Sequence, residues 1–276
     1  MTASGIIRAG IGGWTFEPWR GTFFPEKLAH AKELGYASRQ LATIEVNGTY
    51  YRSQTPTTFA KWASEAPDGF VFSLKAPRFA TNRKVLGEAG ESIGRFIDSG
   101  IAELGDKLGP ILWQFANTKQ FDPDDFGAFL KLLPDKAHGI PLDHVVEVRH
   151  ASFVTPDFVT LLRRHGVAVV HAEHATYPEI ADVTGNIVYS RLQKGMDSEP
   201  TGYPAKALDA WATRAATWSS GGMPDDLPLA APDDKPTVKA RDVFMYFIHE
   251  GKVRAPQAAK ALQERVPAKA RPAMAD

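Results

Sequence analysis

Cysteine is missing from all 276 residues, and that one absence removes disulfides, thiolate metal sites and thiol nucleophiles together. It does not by itself decide a compartment. No long run of Lys and Arg is present either, and 32 basic residues face 32 acidic ones for a formal net charge of zero. The electrostatic term that drives non-specific nucleic-acid binding is therefore weak, which disfavours nucleic acid as a partner, although a local basic patch would escape such a count. Nothing approaches the roughly 18 consecutive apolar residues of a membrane span, and Met1–Gly10 carries no apolar core of signal-peptide length. A cytoplasmic protein with no membrane partner is the expectation. No nucleophile elbow, Walker loop or dinucleotide fingerprint is recognised, which sets aside covalent serine chemistry and nucleotide-cofactor redox chemistry.

The chain has ample material for a core, with 43% hydrophobic and 23% charged residues. Simple division of its length suggests two domains, yet α/β barrels of this size fold as one. Eight short β-rich runs bounded by turn residues choose between these: Ile7–Trp14, Gln40–Tyr51, Phe70–Pro77, Gly109–Phe115, His144–His150, Val167–Glu173, Ile187–Gln193 and Val243–His249. Amphipathic helical patterns lie between them. One spaces Ile93, Phe96, Ile97, Ile101 and Leu104 at three- and four-residue intervals across a stretch from Gly90 to Gly109; another runs from a Thr155 cap to a Gly166 stop. Strand alternating with helix, eight times over, predicts an α/β fold, a single TIM-type (β/α)8 parallel barrel over residues 1–265. The remaining residues, 266–276, are expected to fray. The Gly-, Pro- and Asp-rich stretch Ser219–Asp242 precedes the eighth strand and belongs on the face away from the usual barrel site.

Side chains alternate faces along a strand, so parity sorts the polar residues. In the fifth run Glu147 and Arg149 share a face with Val145, opposite Val146, Val148 and His150. Glu45 and Asn47, Ser73 and Lys75, Gln114, Tyr189 and Arg191, and His171 with Glu173 stand likewise opposite apolar partners. In a parallel barrel the apolar face meets the helices, and the polar face points inward near the C-terminal ends, where barrel sites are built. Structural ion pairs among Glu45, Lys75, Glu147, Arg149 and Arg191 would explain any one of these residues. A ring of eight or nine is costly to desolvate and favours a wet, functional mouth. On that reading Glu147→Gln leaves stability close to wild type.

The residues also resemble a known family, the YecE-like DUF72 proteins. "GGWTFEPWRGTFFP" (Gly12 to Pro25) is similar to that family's opening signature, and "IEVNGTYYR" (Ile44 to Arg52) to its Glu-x-Asn-x-Thr-Phe/Tyr-Tyr-Arg strand. "FSLKAP", "LGPILWQF" and "VEVRHASF" follow in the family's order. The resemblance spans about Gly10 to Leu262. It implies a TIM-type barrel and marks Trp14, Trp19, Glu45, Asn47, Tyr50, Lys75, Gln114, Glu147, Arg149, His150 and Arg191 as pattern residues, but implies no settled activity. Two strand ends depart from the pattern. Gln193 stands where many members have His, and Ile248 with His249 where they have Asn-Asn.

Two inward carboxylates among cations suit general acid/base work, so Glu45 and Glu147 are the candidate catalytic pair, Glu147 the more firmly ionised. Arg191, Arg149 and Lys75 together suit a carboxylate or phosphate, and Trp14, Asn47, Tyr50, Gln114, His150 and Tyr189 complete the candidate ligand contacts. His171 and Glu173, with Glu147, are weak candidates for a divalent metal; otherwise no cofactor is expected. The expected partner is a small polar or anionic ligand, and the expected activity a cofactor-independent hydrolase or lyase. Metal-assisted hydrolysis, including phosphodiester cleavage, and ligand binding without turnover are the alternatives.

Overall fold

The computed structural model describes residues 4–273. Eight parallel strands close into one barrel: Ile7–Gly12, Thr43–Val46, Val71–Lys75, Leu108–Gln114, His144–Glu147, Ala168–Glu173, Val188–Lys194 and Val243–Glu250, with the eighth returning to the first. This is the TIM-type (β/α)8 architecture. Its core has two parts because each strand has two faces. Outward side chains such as Ile11, Ile44, Phe72, Trp113 and Val146 are fully buried against the helices, each stabilising by about 1.5–3 kcal/mol relative to exposure. Inward, Leu112, Val145, Val170, Tyr189, Phe244 and Tyr246 form a separate cluster that fills the lower barrel.

Helix starts follow directly from the local sequence. Thr55, Asp122 and Thr155 accept hydrogen bonds from backbone N–H groups of the first turn, and each is followed by a proline whose missing N–H costs nothing at that position. Gly166, at φ +66°, ends the helix Pro156–His165.

Five features differ from expectation. The helix Glu33–Gln40 lies between the first two strands and is not among the helical patterns identified in the sequence, its buried face being only Leu34, Ala37 and Ser38 besides Glu33. The second strand is only Thr43–Val46, and Gly48–Tyr51 turn into one helical coil. The stretch from Gly90 breaks into a helix, Gly90–Ile97, and a 3-10 segment, Ile101–Lys107, because Gly100 takes φ +104° and its backbone lies against Pro56. The alternation itself fails once: residues 174–187 join the sixth and seventh strands without a helix. Pro178, β-branched Ile180, Val183 and Thr184, and Gly185 disfavour one there. The segment runs extended, with Thr184 Oγ1 accepting from Val169 N–H at 2.8 Å and donating to Val167 O at 2.8 Å. Finally, the chain after Val266 does not fray at once. A 3-10 turn, Ala268–Ala270, buries Ala270 completely, and Arg271 donates to Val266 O; residues 274–276 lie outside the described residues.

The Gly- and Pro-rich loop between residues 220 and 242 takes the place of the missing helix. Asp182, itself buried, accepts from Ala230 N–H at 2.7 Å and Ala231 N–H at 3.1 Å, which pins the loop over Ile180 and Val183. None of the loop residues lines the cavity at the barrel mouth. No described helix is long and apolar enough to cross a membrane. Replacing Asp182 with Ala should strand two buried donors, at about 1–3 kcal/mol each. The expected result is a lower urea midpoint and new protease cuts between residues 223 and 235; an unchanged midpoint would show that the loop is held by apolar contacts alone.

Candidate functional site

Strand register gathers the charged side chains at one height. In the ladder Gly12 lies beside Glu45, Gln114 beside Glu147, and Arg191 between Tyr246 and Ala172. Gly12 must lack a side chain, since a Cβ there would sit 2.9 Å from Ile248 Cγ2 and 3.1 Å from Asn47 Nδ2. Gly13, at φ +75°, turns the chain out of the strand.

Arg191 spans the barrel. Its Nε and Nη2 both donate to Glu45, each at 3.0 Å, and its Nη1 donates to Glu147. Glu45 also accepts from the Tyr189 hydroxyl at 2.7 Å and from Asn47 Nδ2 at 3.1 Å. Glu147 accepts from Gln114 Nε2 at 2.9 Å and Arg149 Nε at 2.7 Å. Both carboxylates are wholly inaccessible and Arg191 is 5% exposed. The expectation of a wet ring is thus corrected at its floor, which is dry. Burial alone would raise the pKa of Glu147, but Arg191, Arg149 and the Gln114 hydrogen bond outweigh it and hold the carboxyl at about 2. Burial would lower Arg191, and Glu147 and Glu45 reverse that. With every donor nitrogen of Arg191 engaged, its fork is not available to a ligand in this arrangement.

Above this floor opens a cavity of about 520 Å³ lined by Asn47, Lys75, Gln114, Arg149, Arg191 and Gln193, with Trp19, Ile248, His249 and Lys252 among the rim residues. Lys75 is 7% exposed. Among the described residues its Nζ has no hydrogen-bond acceptor and no carboxylate within 4.0 Å; it rests 4.2 Å above the Tyr50 ring. Burial first, then Arg191, lower its pKa to about 8 despite Glu45 and Glu147. Gln193 is 2% exposed, and its Nε2 is a buried donor without a partner. Arg149 stacks its guanidinium 4.4 Å from the Tyr177 ring, which in turn stacks on His174 at 3.9 Å.

The structure therefore brings together Glu45, Asn47, Tyr50, Lys75, Gln114, Glu147, Arg149, Tyr189 and Arg191, though Tyr189 lies beneath the carboxylates rather than on the cavity wall. Four other candidates fall elsewhere. His171 and Glu173 face outward, because their strand turns Ala168, Val170 and Ala172 inward, in register with Tyr189 and Arg191. His171 is held by Ser190, Glu179 and the rings of Trp211 and Trp218, and Glu173 accepts from Tyr203. A metal in the mouth would not reach either, and no group of three or more His, Asp or Glu residues suited to a metal occurs among the described residues. Trp14 packs edge-on against Trp62 at 5.2 Å, away from the cavity. His150 caps the 3-10 turn Ala151–Phe153, accepting from Ser152 N–H at 3.1 Å.

Sequence reasoning missed Tyr177 and Lys252, both on loops beyond strand C-termini, where position was the only available signal. It also passed over a Gly-x-Ser-x-Gly string, Gly90 to Gly94. That string opens a helix rather than a strand-to-helix elbow, and Arg83 donates to Ser92 Oγ, so it supplies no nucleophile. The three positions that depart from the resembled family pattern, Gln193, Ile248 and His249, all line the cavity.

A sequence profile described as "Protein of unknown function DUF72" matches residues 8–275. The UPF0759 protein YunF of Bacillus subtilis is 25% identical over 158 residues, 55% of this chain and 54% of that protein, so the match spans about half the length of this curated relative. The crystal structure of a DUF72 family protein from Thermotoga maritima superposes with a TM-score of 0.68 at 21% identity, covering 94% of this chain and 97% of that one. A DUF72 family protein from Enterococcus faecalis gives a TM-score of 0.68 at 16% identity, with 95% of each chain covered. At such identities the structural likeness speaks for the barrel alone.

Glu147→Gln separates a dry brace from a hydrated ring. The substitution leaves Arg191 and Arg149 short of a countercharge in a buried place, at a typical cost of about 3–5 kcal/mol. Because the folded pKa of Glu147 is depressed from 4.5 to about 2, its contribution is complete above pH 4.5 and disappears as the pH falls toward 2. Urea unfolding of the variant should show the full deficit at pH 7 and a gap to wild type that narrows through that acid window. A deficit under about 1 kcal/mol at pH 7 would mean that water reaches the pair.

Proposed function

The chain belongs to the DUF72 family of proteins of unknown function, and we propose that it binds a small anionic molecule in the C-terminal mouth of its barrel and transforms it without a metal or organic cofactor. The observation that carries this reading is the charge imbalance of the cavity. Arg149, Arg191 and Lys75 outnumber Glu45 and Glu147 and, among the described residues, neither Lys75 nor Lys252 at the rim has a carboxylate partner, Lys75 being the one beside the brace. A buried ammonium in that position is costly until an anion joins it. Gln193 Nε2 and the Nη2 of Arg149, which has no protein acceptor, supply further donors for a carboxylate or phosphate oxygen.

Of hydrolase and lyase chemistry, the geometry favours the lyase. A hydrolase of the two-carboxylate kind needs a carboxylate with a free lone pair facing water. Glu45 accepts from three side chains and Glu147 from three, so their part is to hold Arg191 and to set the potential beneath the ligand. Lys75 is the titratable group that meets the ligand, and its pKa near 8 lies close to neutral. The outward positions of His171 and Glu173 weigh against metal-assisted hydrolysis in the mouth. Binding without turnover differs from this reading only in product formation.

Sulfate, whose charge is constant from pH 6 to 10, tests the anion site by calorimetric titration. Wild-type protein should bind it, and Lys75→Met should weaken binding at least about tenfold, the loss of one desolvated charge–charge contact. The folded pKa of Lys75 is lowered from 10.5 to about 8, so its burial costs stability at all pH values below 8, and that cost fades as pH rises from 8 to 10.5. Lys75→Met should accordingly be more stable than wild type at pH 7, by about 2–3 kcal/mol, with the difference shrinking above pH 8. Undiminished sulfate binding by the Met variant would sink the site assignment.

A further inference from the structure

We propose that Lys75 forms an imine with the carbonyl carbon of a small anionic aldehyde or ketone held in the mouth cavity. This deepens the anion-site reading and rests on it. An amine reacts with a carbonyl only when three conditions coincide: its lone pair must be free of a proton at working pH, no carboxylate may clamp it, and the carbonyl must be held beside it in a space that admits little water. Lys75 is clear of any carboxylate and lines the mouth cavity, and with its pKa lowered to about 8 a fraction of it is unprotonated at neutral pH and most of it above pH 8. It is the last residue of the third strand, Val71–Lys75, and the strand end is fixed by Thr49 Oγ1 donating to Lys75 O at 2.7 Å. The amine therefore projects from rigid backbone into the cavity. Its Nζ meets a ring face instead of an acceptor.

The groups that face this amine also suit the reaction. Burial first, then Arg191, with a smaller effect of Arg149, lowers the affinity of the amine for a proton, and this outweighs the opposite pull of Glu45 and Glu147. The two carboxylates are paired with the guanidinium groups rather than with the amine. Cationic neighbours and a desolvated setting are the two established means of keeping a lysine amine unprotonated. Arg149 is placed to hold the anionic end of such a ligand, and Gln193 Nε2, buried and without a partner, to donate to an oxygen near the reacting carbon.

The step balances with no external oxidant or reductant. The Nζ lone pair attacks the carbonyl carbon, the C=O π pair moves to oxygen, and a proton shift gives a neutral carbinolamine. Loss of the hydroxyl with one nitrogen proton, as water, leaves the C=N bond of a neutral imine. Uptake of one proton from solvent at Nζ gives the iminium, which withdraws electrons from the adjacent carbon, as a lyase needs in order to break a neighbouring C–C or C–O bond.

Glyoxylate is the smallest anionic aldehyde and fits easily in about 520 Å³. Full-length wild-type protein treated with glyoxylate and sodium borohydride should acquire the reduced adduct at Lys75. Tryptic digestion would report it as a modified, uncleaved peptide 62–78. Lys75 should react at least ten times faster than the exposed Lys61, sulfate should suppress labelling at Lys75 alone, and Lys75→Arg should lose that label. Reaction at Lys75 no faster than at Lys61, with sulfate still bound, would overturn the imine and leave the anion site standing. Failure of both labelling and sulfate binding would remove the site reading itself.

Discussion

The positive charge of Arg191, held across the barrel between Glu45 and Glu147, is the constraint from which the rest of the site follows. Desolvating three charges is expensive, and such an arrangement survives only if nearly every hydrogen-bonding atom is matched. Here the matching comes from four different strands. Glu147 ends one and Glu45 is the last residue but one of another, Tyr189 and Arg191 share a third, and Gln114 closes the fourth, while Asn47 and Arg149 follow two residues after the carboxylates. Removing any member leaves a partner stranded. The brace therefore ties the upper barrel together more firmly than its interior packing, which at that height is thin: Gly12 and Ala172 contribute no bulk beside the charges.

Matched charges below leave an unmatched one above. Lys75 lies two residues beyond Ser73, the ladder partner of Glu45, and both carboxylates are already occupied, so its ammonium finds only the face of Tyr50. A core would replace such a residue with Met or Leu. A ligand site keeps it, because the energy withheld from the empty state becomes available when an anion arrives. Stability and function thus oppose each other at Lys75, whereas at Glu147 they coincide. The two residues stand on strands separated by the fourth, Leu108–Gln114, and play different physical parts.

Much of this was legible in the chain. Short β-rich runs bounded by turn residues located all eight strands, and parity assigned the inward face correctly for Glu45, Lys75, Gln114, Glu147 and Arg191. The same rule failed for His171 and Glu173. It equates polar with inward, and the sixth strand does the reverse: small Ala168, Val170 and Ala172 face the barrel, which leaves room for Arg191, while His171 is satisfied outside by Glu179, Ser190 and two tryptophans. Local patterning does not say how much space a distant side chain needs. Nor could it say that the ring was dry, since exposure depends on closure around the cluster. The extended crossover at residues 174–187 was hidden for a related reason, as the loop that stabilises it comes some 50 residues later and binds through Asp182.

The three positions that part from the family pattern sharpen what the mouth should accept. Gln193, Ile248 and His249 lie side by side on the ends of the seventh and eighth strands and line one wall of the cavity. Where a histidine at the first position could exchange a proton, the Gln193 amide offers a fixed donor that does not titrate. Ile248 presents hydrocarbon in place of an amide, so that wall no longer solvates a polar substituent. His249 holds a left-handed backbone conformation at φ +69°, which for a residue with a Cβ costs of order 1 kcal/mol and turns its ring toward His174, 5.8 Å away. A wall with one neutral donor beside an apolar patch discriminates by shape and by a single oxygen, while Lys75 and Arg149 on the opposite side recognise charge. Under the proposed anion-site reading, the ligand that suits such a mouth is short, anionic at one end, and carries one acceptor next to an unsubstituted carbon skeleton.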